Sequence, residues 1–393
     1  MDTAKRLLVL CHGFPPYYGG AEHAAYDLAR EAVQAGHAVT VLTSDIGGRL
    51  PAEEEMEGMR IIRLHARKKE WSFHTTFELL DFLRVALKHI PSLIKEVQPD
   101  FIWAHFSVPA GLVAFKASRK FGTPYGVVLH GSDVPGYQSG RFGLIYPALR
   151  LVVRRIWQRA AFVVAVSDEL RSLALTTWPA GTIDVIPNGV DTERFKPDSA
   201  QEAGAGPELQ ALVAAQWIER KGIHFLLEAI HGLDPQVKKR LVWHLCGSGP
   251  YEPQLRRLIH DYQLEDRVHL HGLIARDDLT ARLCKETDLF VLPSLQEGLP
   301  LALLEALSAG TAVIATRVGG IPSALTDGKD ALLCDPASPE QLRVAIERLV
   351  KEPRLRQTLQ EQARQTALRY SWNASWLHYE HRMNRLPLKE HTS

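Results

Sequence analysis

The sequence predicts an α/β protein made of two doubly wound, Rossmann-like domains. Short apolar segments rich in β-branched residues alternate with amphipathic helical segments along almost the whole chain. At 393 residues the chain is long for one domain and sufficient for two. The polar stretch 195–207, which carries Gly, Ala and Pro, interrupts this alternation and is predicted to link the domains. We therefore expect one domain over residues 1–190 and another over 207–370.

The first series opens with a βαβ unit. Arg6–Cys11 is typical of a buried strand, a Gly-rich loop follows, and a helix ends at Gly36 before the strand His37–Thr43. Gly19 and Gly20 in that loop let the backbone approach a ligand at the carboxyl end of the first strand. The alternation then continues with strands at Met59–Leu64, Phe101–Ala104, Tyr125–His130, Phe162–Val166 and Ile183–Pro187, and helices at Phe77–Val97 and Ala110–Phe121.

His130 ends one of these strands and precedes the turn Gly131-Ser132-Asp133. Open α/β sheets place their ligand contacts at the carboxyl ends of strands. A lone histidine is more often structural, but its position at a strand end, beside this turn, favours a site residue.

The second series repeats the pattern. Strands are predicted at Gln210–Ala215, Leu241–Cys246, Val268–Leu270, Leu289–Leu292 and Thr311–Thr316, helices at Ile223–His231 and Pro253–Tyr262, and a mostly helical end from Pro339 to about His381. The loops 216–222, 247–250 and 297–300 all follow predicted strands. Because the carboxyl ends of parallel strands meet at one edge, we expect these loops to converge.

Two carboxylates flank the start of a helix that follows a buried strand. Pro300 suits the first helical position and Gly310 the residue just past the helix end. Glu297 lies in the strand-to-helix loop, and at ~1.5 Å per residue Glu305 is only about 7 Å along the axis from Pro300. Both side chains can therefore border one crevice.

The same helix start is suited to an anion. Backbone N–H groups of Gly298, Leu299 and Leu301 point out of it, and the helix dipole favours negative charge there. Carboxylates accept hydrogen bonds from hydroxyl groups. An anion flanked by hydroxyls describes a nucleotide-sugar, with the diphosphate at the helix start. The adjacent Arg220 and Lys221 would neutralise that diphosphate, although adjacent basic residues are more commonly solvated surface charge.

Composition excludes several classes of function. The 46 basic and 45 acidic side chains nearly balance, so no overall field favours nucleic acid. The cysteines are scattered without metal-like or redox spacing. No signal-peptide pattern and no apolar run approaching 18 residues is found. These observations predict a cytoplasmic protein.

Residues 141–161 combine an apolar helical pattern with arginines and leave two interpretations open. A basic amphipathic helix can lie on a membrane surface, and a packed helix can carry snorkelling arginines. Arg150 and Arg154 share one side while Arg155 and Arg159 fall nearly opposite, which favours the packed helix. The basic and aromatic segment 67–73 carries the same weak membrane signal.

At this point the chain resembles a known family. Glu297-x7-Glu305, with Gly-Leu-Pro inside it, is similar to the pattern of the family 4 retaining glycosyltransferases, which have the GT-B fold. Supporting motifs run in order along the chain: Phe14-Pro-Pro-x-x-Gly-Gly-Ala-Glu22, Gly36-His-x-Val-Thr-Val, His130-Gly-Ser-Asp133, Ile186-Pro-Asn-Gly-Val-Asp191, Lys221-Gly222, Gly247-x-Gly-Pro250, Pro293-Ser294 and Gly319-Gly-Ile-Pro322.

The resemblance implies two domains facing across a cleft. The acceptor would bind the first, the nucleotide-sugar, UDP-linked in preference to GDP-linked, would bind the second, and a helix at about 371–393 would pack back on the first. The acceptor would be a hydroxyl compound, with a lipid-linked saccharide and peripheral membrane contact as one option. Neither a metal nor a cofactor is expected.

The resemblance also implies roles for individual residues. Glu297 would hold hydroxyls of the donor sugar and Glu305 the ribose, while Lys221 would pair with the diphosphate. His130 would contact the sugar, and Gly20 would approach phosphate or acceptor.

One position departs from the family pattern. The arginine expected five residues before Lys221 is Gln216 here. An amide keeps a hydrogen bond but loses a charge-assisted one, worth about 1.5–3 kcal/mol. Two alternatives to a transferase stay open: a nucleotide-sugar epimerase of the same two-domain fold, and a nucleotide-sugar-binding subunit without catalysis, to which the Gln216 departure points.

Overall fold

A computed structural model describes residues 4–16, 19–67, 74–137, 146–197 and 208–386. The chain forms two compact units. The first unit comprises residues 1–187 and 372–393, and the second comprises residues 188–371.

The first unit is built on a twisted eight-stranded sheet. Its strands are β1 (Arg6–Leu10), β2 (Ala38–Ser44), β3 (Glu53–Met56), β4 (Met59–Leu64), β5 (Phe101–His105), β6 (Tyr125–Leu129), β7 (Phe162–Ala165) and β8 (Asp184–Val185), in the order β3-β4-β2-β1-β5-β6-β7-β8. The β3–β4 pair is antiparallel, and the other pairs are parallel. The sequence prediction missed β3, because this exposed edge strand reads Glu-Glu-Glu-Met and has no apolar alternation.

The helices of the first unit are α1 (Gly20–Gln34), α2 (Thr76–Val97), α3 (Leu112–Phe121), α4 (Tyr146–Arg159), α5 (Asp168–Thr177) and α14 (Trp372–Asn384). A capping box fixes the start of α2, since the Thr75 hydroxyl accepts from the Glu78 N–H while the Glu78 carboxylate accepts from the Thr75 N–H. The strands at the sheet centre, such as β5, are buried on both faces, which explains their unbroken apolar sequences.

The second unit has a six-stranded, all-parallel sheet. Its strands are β9 (Leu209–Ala214), β10 (Leu241–Cys246), β11 (Val268–Gly272), β12 (Leu289–Leu292), β13 (Ala312–Thr316) and β14 (Leu332–Cys334), in the order β11-β10-β9-β12-β13-β14. Its helices are α6 (Ile223–His231), α7 (Pro235–Lys239), α8 (Glu252–Asp261), α9 (Arg276–Lys285), α10 (Leu301–Ser308), α11 (Ile321–Ala324), α12 (Pro339–Lys351) and α13 (Pro353–Ala367). This strand order is that of a Rossmann domain, and the predicted fold class is confirmed.

The residues around the predicted linker belong to the second unit. The Val190 N–H donates to the Tyr370 carbonyl at 2.7 Å, and Phe195 is fully buried in the core of this unit. Phe195, the first residue of the stretch predicted to link the domains, is therefore packed in this unit, whereas Lys196 and Pro197 are exposed. The rest of that stretch, 198–207, lies outside the described residues.

The helix α14 is part of the first unit. Trp376 packs against Trp103, with ring centroids 5.7 Å apart. His37 lies 3.1 Å from the Glu380 carboxylate, and Arg382 pairs with Asp184 at 2.7 Å. These contacts tie the end of the chain to residues from three parts of the first unit.

The helix α4 packs by one face. Val153, Ile156 and Trp157 are buried, whereas its four arginines are exposed. The described part of 141–161 therefore packs by this apolar face, and its arginine-bearing face is exposed. Residues 68–73 of the other basic segment lie outside the described residues. In the part of the chain that the structure describes, no helix is both long enough and apolar enough to span a bilayer.

Candidate active site

The strand order of the second unit locates a crevice. The chain runs outward from β9 in one direction and from β12 in the other, so these adjacent strands form the topological switch point. Ligands of open α/β sheets bind at the carboxyl ends of the strands at this point. The loop 215–222 follows β9, and the loop 293–300 follows β12. Most of the site residues predicted from the sequence lie in these two loops.

The two loops are joined by side chains. The Lys221 Nζ lies 2.6 Å from Oε1 of Glu297, and the Ser294 hydroxyl donates to the same oxygen at 2.6 Å. Glu297 is 6% exposed and Lys221 is partly buried. Burial lowers the pKa of Lys221, and the charge of Glu297 opposes that shift. The carboxylate is therefore fixed in orientation beside a partly desolvated cation.

The backbone of two neighbouring turns, at Gly222 and Gly319, packs closely against the loop that carries Glu297. Gly222 has a φ of +64°, and a Cβ on it would lie 2.0 Å from the Pro293 carbonyl oxygen. Gly319 has a φ of +60°, and a Cβ there would lie 2.1 Å from the Glu297 carbonyl oxygen. Neither position accommodates a side chain. The glycines thus let two neighbouring turns enclose the loop.

The helix start offers hydrogen-bond donors. Among the described residues, the N–H groups of Gly298, Leu299 and Leu301 donate no backbone hydrogen bond, whereas their loop is anchored through carbonyls. The Gly320 N–H donates to the Gly298 carbonyl, and the Asn188 amide donates to the Leu299 carbonyl. These N–H groups at the start of α10 suit an anion.

The predicted bounds of this helix need one correction. Pro300 is the N-cap of α10 and not its first helical residue, because its ψ of 133° is extended. Gly310 follows the helix end with a φ of +71°, as predicted.

Glu305 has a partner that the sequence prediction missed. The Arg276 guanidinium lies 3.2 Å from Oε1 of Glu305, and both side chains are mostly buried. Arg276 is the first residue of α9, a helix not predicted because its charged sequence buries only Leu283. No local signal pairs Arg276 with Glu305, since they are 29 positions apart and meet only through the fold.

The remaining cation of the predicted site faces the Glu297 loop. The Arg220 guanidinium donates to the Gln296 carbonyl at 3.1 Å. Gln216, half-buried, follows β9 in the position where the family pattern has arginine. The Trp217 N–H donates to the Ser248 carbonyl, and the Leu295 N–H donates to the Arg220 carbonyl, both at 2.8 Å. The predicted convergence of the three loops is therefore confirmed.

The other predicted site residues lie in the first unit. His130 Nε2 lies 3.1 Å from Nδ1 of His105. The backbone N–H of His130 donates to the Asp133 carboxylate at 3.0 Å. Burial lowers the pKa of His130 to about 4. Gly19 caps α1, and a Cβ on Gly20 would meet nothing within 4 Å, so this backbone is open to a ligand.

Comparison with known proteins fits this geometry. A family model described as "Glycosyltransferase Family 4" matches residues 18–194, and one described as "Glycosyl transferases group 1" matches residues 195–366. The two matches adjoin and together span residues 18–366 of the 393. The chain belongs to the family 4, group 1 glycosyltransferases.

Curated relatives of this glycosyltransferase match along most of their length. It is 29% identical over 368 residues to the GDP-mannose-dependent alpha-(1-6)-phosphatidylinositol monomannoside mannosyltransferase of Mycobacterium tuberculosis, covering 88% of this chain and 89% of that protein. It is 25% identical over 360 residues to the N-acetyl-alpha-D-glucosaminyl L-malate synthase of Bacillus anthracis, covering 89% and 90%. The activity of the present chain is glycosyl transfer in glycoconjugate biosynthesis.

Solved structures show that the glycosyltransferase has the GT-B fold. Sucrose-phosphate synthase from Thermosynechococcus elongatus superposes with a TM-score of 0.83 at 23% identity, covering 96% of this chain and 98% of that one. Anabaena HepE in complex with UDP and glucose gives a TM-score of 0.77 at 19% identity, covering 97% and 100%.

Proposed function

We propose that this glycosyltransferase moves a sugar from a nucleotide-diphosphate sugar to a hydroxyl acceptor with retention of configuration. The observation that carries the proposal is the Lys221–Glu297 pair at the switch point, 2.6 Å apart beside the N–H groups at the start of α10. Cation, oriented carboxylate and backbone donors are the groups that a diphosphate flanked by hydroxyls requires.

In this proposal the second unit binds the donor. The diphosphate lies on the N–H groups of Gly298, Leu299 and Leu301 with Lys221 beside it. Glu297 accepts hydrogen bonds from the sugar hydroxyls, and Glu305 accepts them from the ribose. These carboxylates are buried and oriented by cations, as specific hydroxyl recognition needs.

Four further residues have proposed roles. Arg220 supports the Glu297 loop through the Gln296 carbonyl. Gln216 supplies an amide in place of the guanidinium of the family pattern. For the first unit, the family resemblance implies that Gly20 approaches the acceptor or a phosphate and that His130 contacts the sugar.

The proposed reaction breaks the bond between the anomeric carbon and the diphosphate oxygen. The acceptor hydroxyl attacks from the same face, and its proton passes to an oxygen of the departing diphosphate, so no separate base is required. Lys221 and the helix start stabilise the charge that develops on the leaving group. We do not assign Glu297 as a covalent nucleophile, because its proposed role is to accept hydrogen bonds from the hydroxyls of the donor sugar. Departure of the diphosphate through these groups needs no metal.

Two nucleotide bases of the donor, uracil and guanine, have support. The family resemblance favours a UDP-sugar, and HepE was solved with UDP and glucose. The mycobacterial relative is GDP-mannose-dependent. A donor panel must therefore include UDP-, GDP- and ADP-sugars.

We further propose an acceptor presented at a membrane surface, such as a lipid-linked saccharide. Leu151 is 60% exposed on α4 and Val152 is 37% exposed, close to the exposed Arg150, Arg154 and Arg155. Exposed apolar side chains flanked by arginines suit an anionic bilayer. Co-sedimentation with anionic liposomes at low salt tests this, and failure to sediment would remove the membrane contact while leaving the transferase proposal intact.

The deciding experiment measures nucleotide release across the donor panel, with and without a hydroxyl acceptor such as an alkyl glycoside. Release that rises with acceptor supports the transferase, and NMR of the product reports whether the anomeric configuration is retained. A changed sugar without release would indicate an epimerase. Tight binding of every donor without turnover would indicate a binding subunit.

A further inference from the structure

Three side chains that could bind a metal ion converge in the first unit, outside the proposed donor site. His12 follows β1, Glu22 lies in the first turn of α1, and His74 precedes α2. The first unit also has a topological switch point, between β1 and β5. His12 lies at that point, where open α/β sheets bind ligands.

The three groups are close and shielded from water. His12 Nε2 lies 3.8 Å from Glu22 Oε1, and His74 Nε2 lies 3.7 Å from the same oxygen. One ligand atom from each residue lies within 4.8 Å of the other two. The side chains of His12, Glu22 and His74 are only 6%, 9% and 9% exposed.

Aromatic rings pack against His12 in this cluster. The His12 ring lies 4.3 Å from that of His74 and 4.5 Å from that of Phe106. Phe106 has a φ of +78°, a conformation that is unfavourable for a non-glycine residue and is found often at ligand sites. Phe82 of α2 lies on a further side of the His12 ring. Among the described residues, aromatic rings therefore pack against the His12 side of the cluster, and Glu22 Oε1 lies within 4 Å of both imidazoles.

The donor set is chemically specific. Two imidazoles and one carboxylate form the three-ligand set of many zinc sites, with bonds of about 2.0–2.2 Å and an open fourth position. At such bond lengths tetrahedral ligand atoms are about 3.3 Å apart. The two histidine-to-Glu22 distances, 3.8 and 3.7 Å, exceed this by about half an ångström. The ligand atoms of the two histidines, which lie within 4.8 Å of each other, would also have to move closer on binding.

We propose that His12, Glu22 and His74 bind one divalent transition-metal ion of the Zn²⁺ class, with a fourth position open to water or an oxygen ligand. The ion would tie the loop after β1, the start of α1 and the start of α2 together. The cluster adjoins the first-unit residues named above, since Glu22 follows Gly20 by two positions and the Phe106 ring lies 4.8 Å from the His130 ring. The inference does not depend on the proposed transfer reaction, because its test measures binding.

The test uses the full chain without a histidine tag, stripped with a chelator and titrated with Zn²⁺ in competition with a chromophoric chelator. Co²⁺ serves as a spectroscopic probe, since a tetrahedral site gives intense visible bands. We expect one ion per chain and a higher Tm when Zn²⁺ is bound. Glu22→Gln and His74→Gln should each weaken binding by at least about 100-fold, given that loss of even an outer-shell partner costs 10–100-fold.

Two matched variants locate the site. His89 is exposed on α2, and His89→Gln should bind Zn²⁺ like the wild type. His244 and His271 form a separate histidine pair, 2.8 Å apart, and His271→Gln should also leave binding unchanged. Glu22→Asp keeps a carboxylate and should retain part of the affinity, which covers the case in which Glu22→Gln fails to fold. Absence of tight binding, or binding lost in His271→Gln and kept in His74→Gln, would overturn the proposal.

Discussion

Lys221 and Glu297 are 76 positions apart in the sequence, yet the Lys221 Nζ lies 2.6 Å from Oε1 of the Glu297 carboxylate. They meet because β9 and β12 are neighbours in the sheet and each strand ends in a loop at the same edge. The roles proposed for Lys221 and Glu297, at the diphosphate and at the sugar hydroxyls, depend on this juxtaposition.

Lys221→Ala should lower kcat by about 10²–10³, the usual effect of removing one group that stabilises transition-state charge. The reason is that the partly buried ammonium acts on the charge of the leaving diphosphate. The measurement is steady-state nucleotide release, with far-UV circular dichroism as a check of folding. Lys329 is exposed in the same unit, and Lys329→Ala should behave like the wild type. Equal rates for both variants would contradict the role of Lys221.

Gly222→Ala should destabilise the protein by about 2–4 kcal/mol, combining an unfavourable φ with overpacking. The added Cβ would lie 2.0 Å from the Pro293 carbonyl oxygen and would displace the Glu297 loop. Gly328 has a φ of +74° but nothing within 4 Å of an added Cβ, so Gly328→Ala should cost only about 1 kcal/mol. Urea unfolding of both variants measures the difference, and equal losses would show that the close contact is unimportant.

The Arg276–Glu305 pair should show strong coupling in a double-mutant cycle of Arg276→Met and Glu305→Gln. We expect at least about 1.5 kcal/mol, because each single variant leaves a mostly buried group without its charged partner. The exposed pair Arg256–Glu252 on α8 is a matched control and should couple by less than about 0.5 kcal/mol. Urea unfolding of the four proteins in each cycle provides the numbers, and similar coupling for both pairs would refute the prediction.

Gln216→Arg should tighten binding of a nucleoside diphosphate by about tenfold, because a charge-assisted hydrogen bond replaces a neutral one. Isothermal titration with UDP and GDP measures the change. The control is Arg317→Gln, which alters an exposed charge in the same unit and should leave the affinity unchanged. An unchanged Kd in Gln216→Arg would show that position 216 does not face the diphosphate.

The protein should lose stability as the pH falls from about 6.5 to about 4. In the unfolded chain His130 takes up a proton near its usual pKa of 6.5, whereas burial holds its folded-state pKa at about 4. The unfolded state thus binds more protons in this window, so the free energy of unfolding decreases as the pH decreases. His105 acts in the same direction, since burial also lowers its pKa.

His130→Asn should make the acid dependence of the unfolding free energy shallower than in the wild type. Urea unfolding at a series of pH values measures the slope. The matched control is His89→Asn, at an exposed position of α2, which should keep the wild-type slope. A slope that does not change in His130→Asn would show that this residue titrates alike in the folded and unfolded chain.

Much of the fold follows from local sequence. The strands β4, β10 and β12 and the helix α6 have the bounds that the sequence predicts, because each is a continuous apolar or amphipathic segment with clear ends. Elements with mixed charge, such as β3 and α9, escaped prediction because their positions depend on neighbours and not on their own pattern.

The sequence by itself determined the two α/β series, the spacing of Glu297 and Glu305 around a helix start, and the family to which these motifs point. Such features are encoded within about twenty residues, where periodicity and capping act directly. Only the tertiary structure decided that Arg276 pairs with Glu305, that Arg220 supports the Glu297 loop, and that His74 meets His12 and Glu22. Those contacts join distant segments, and their partners are set by strand order and packing, which leave no periodic trace in the sequence.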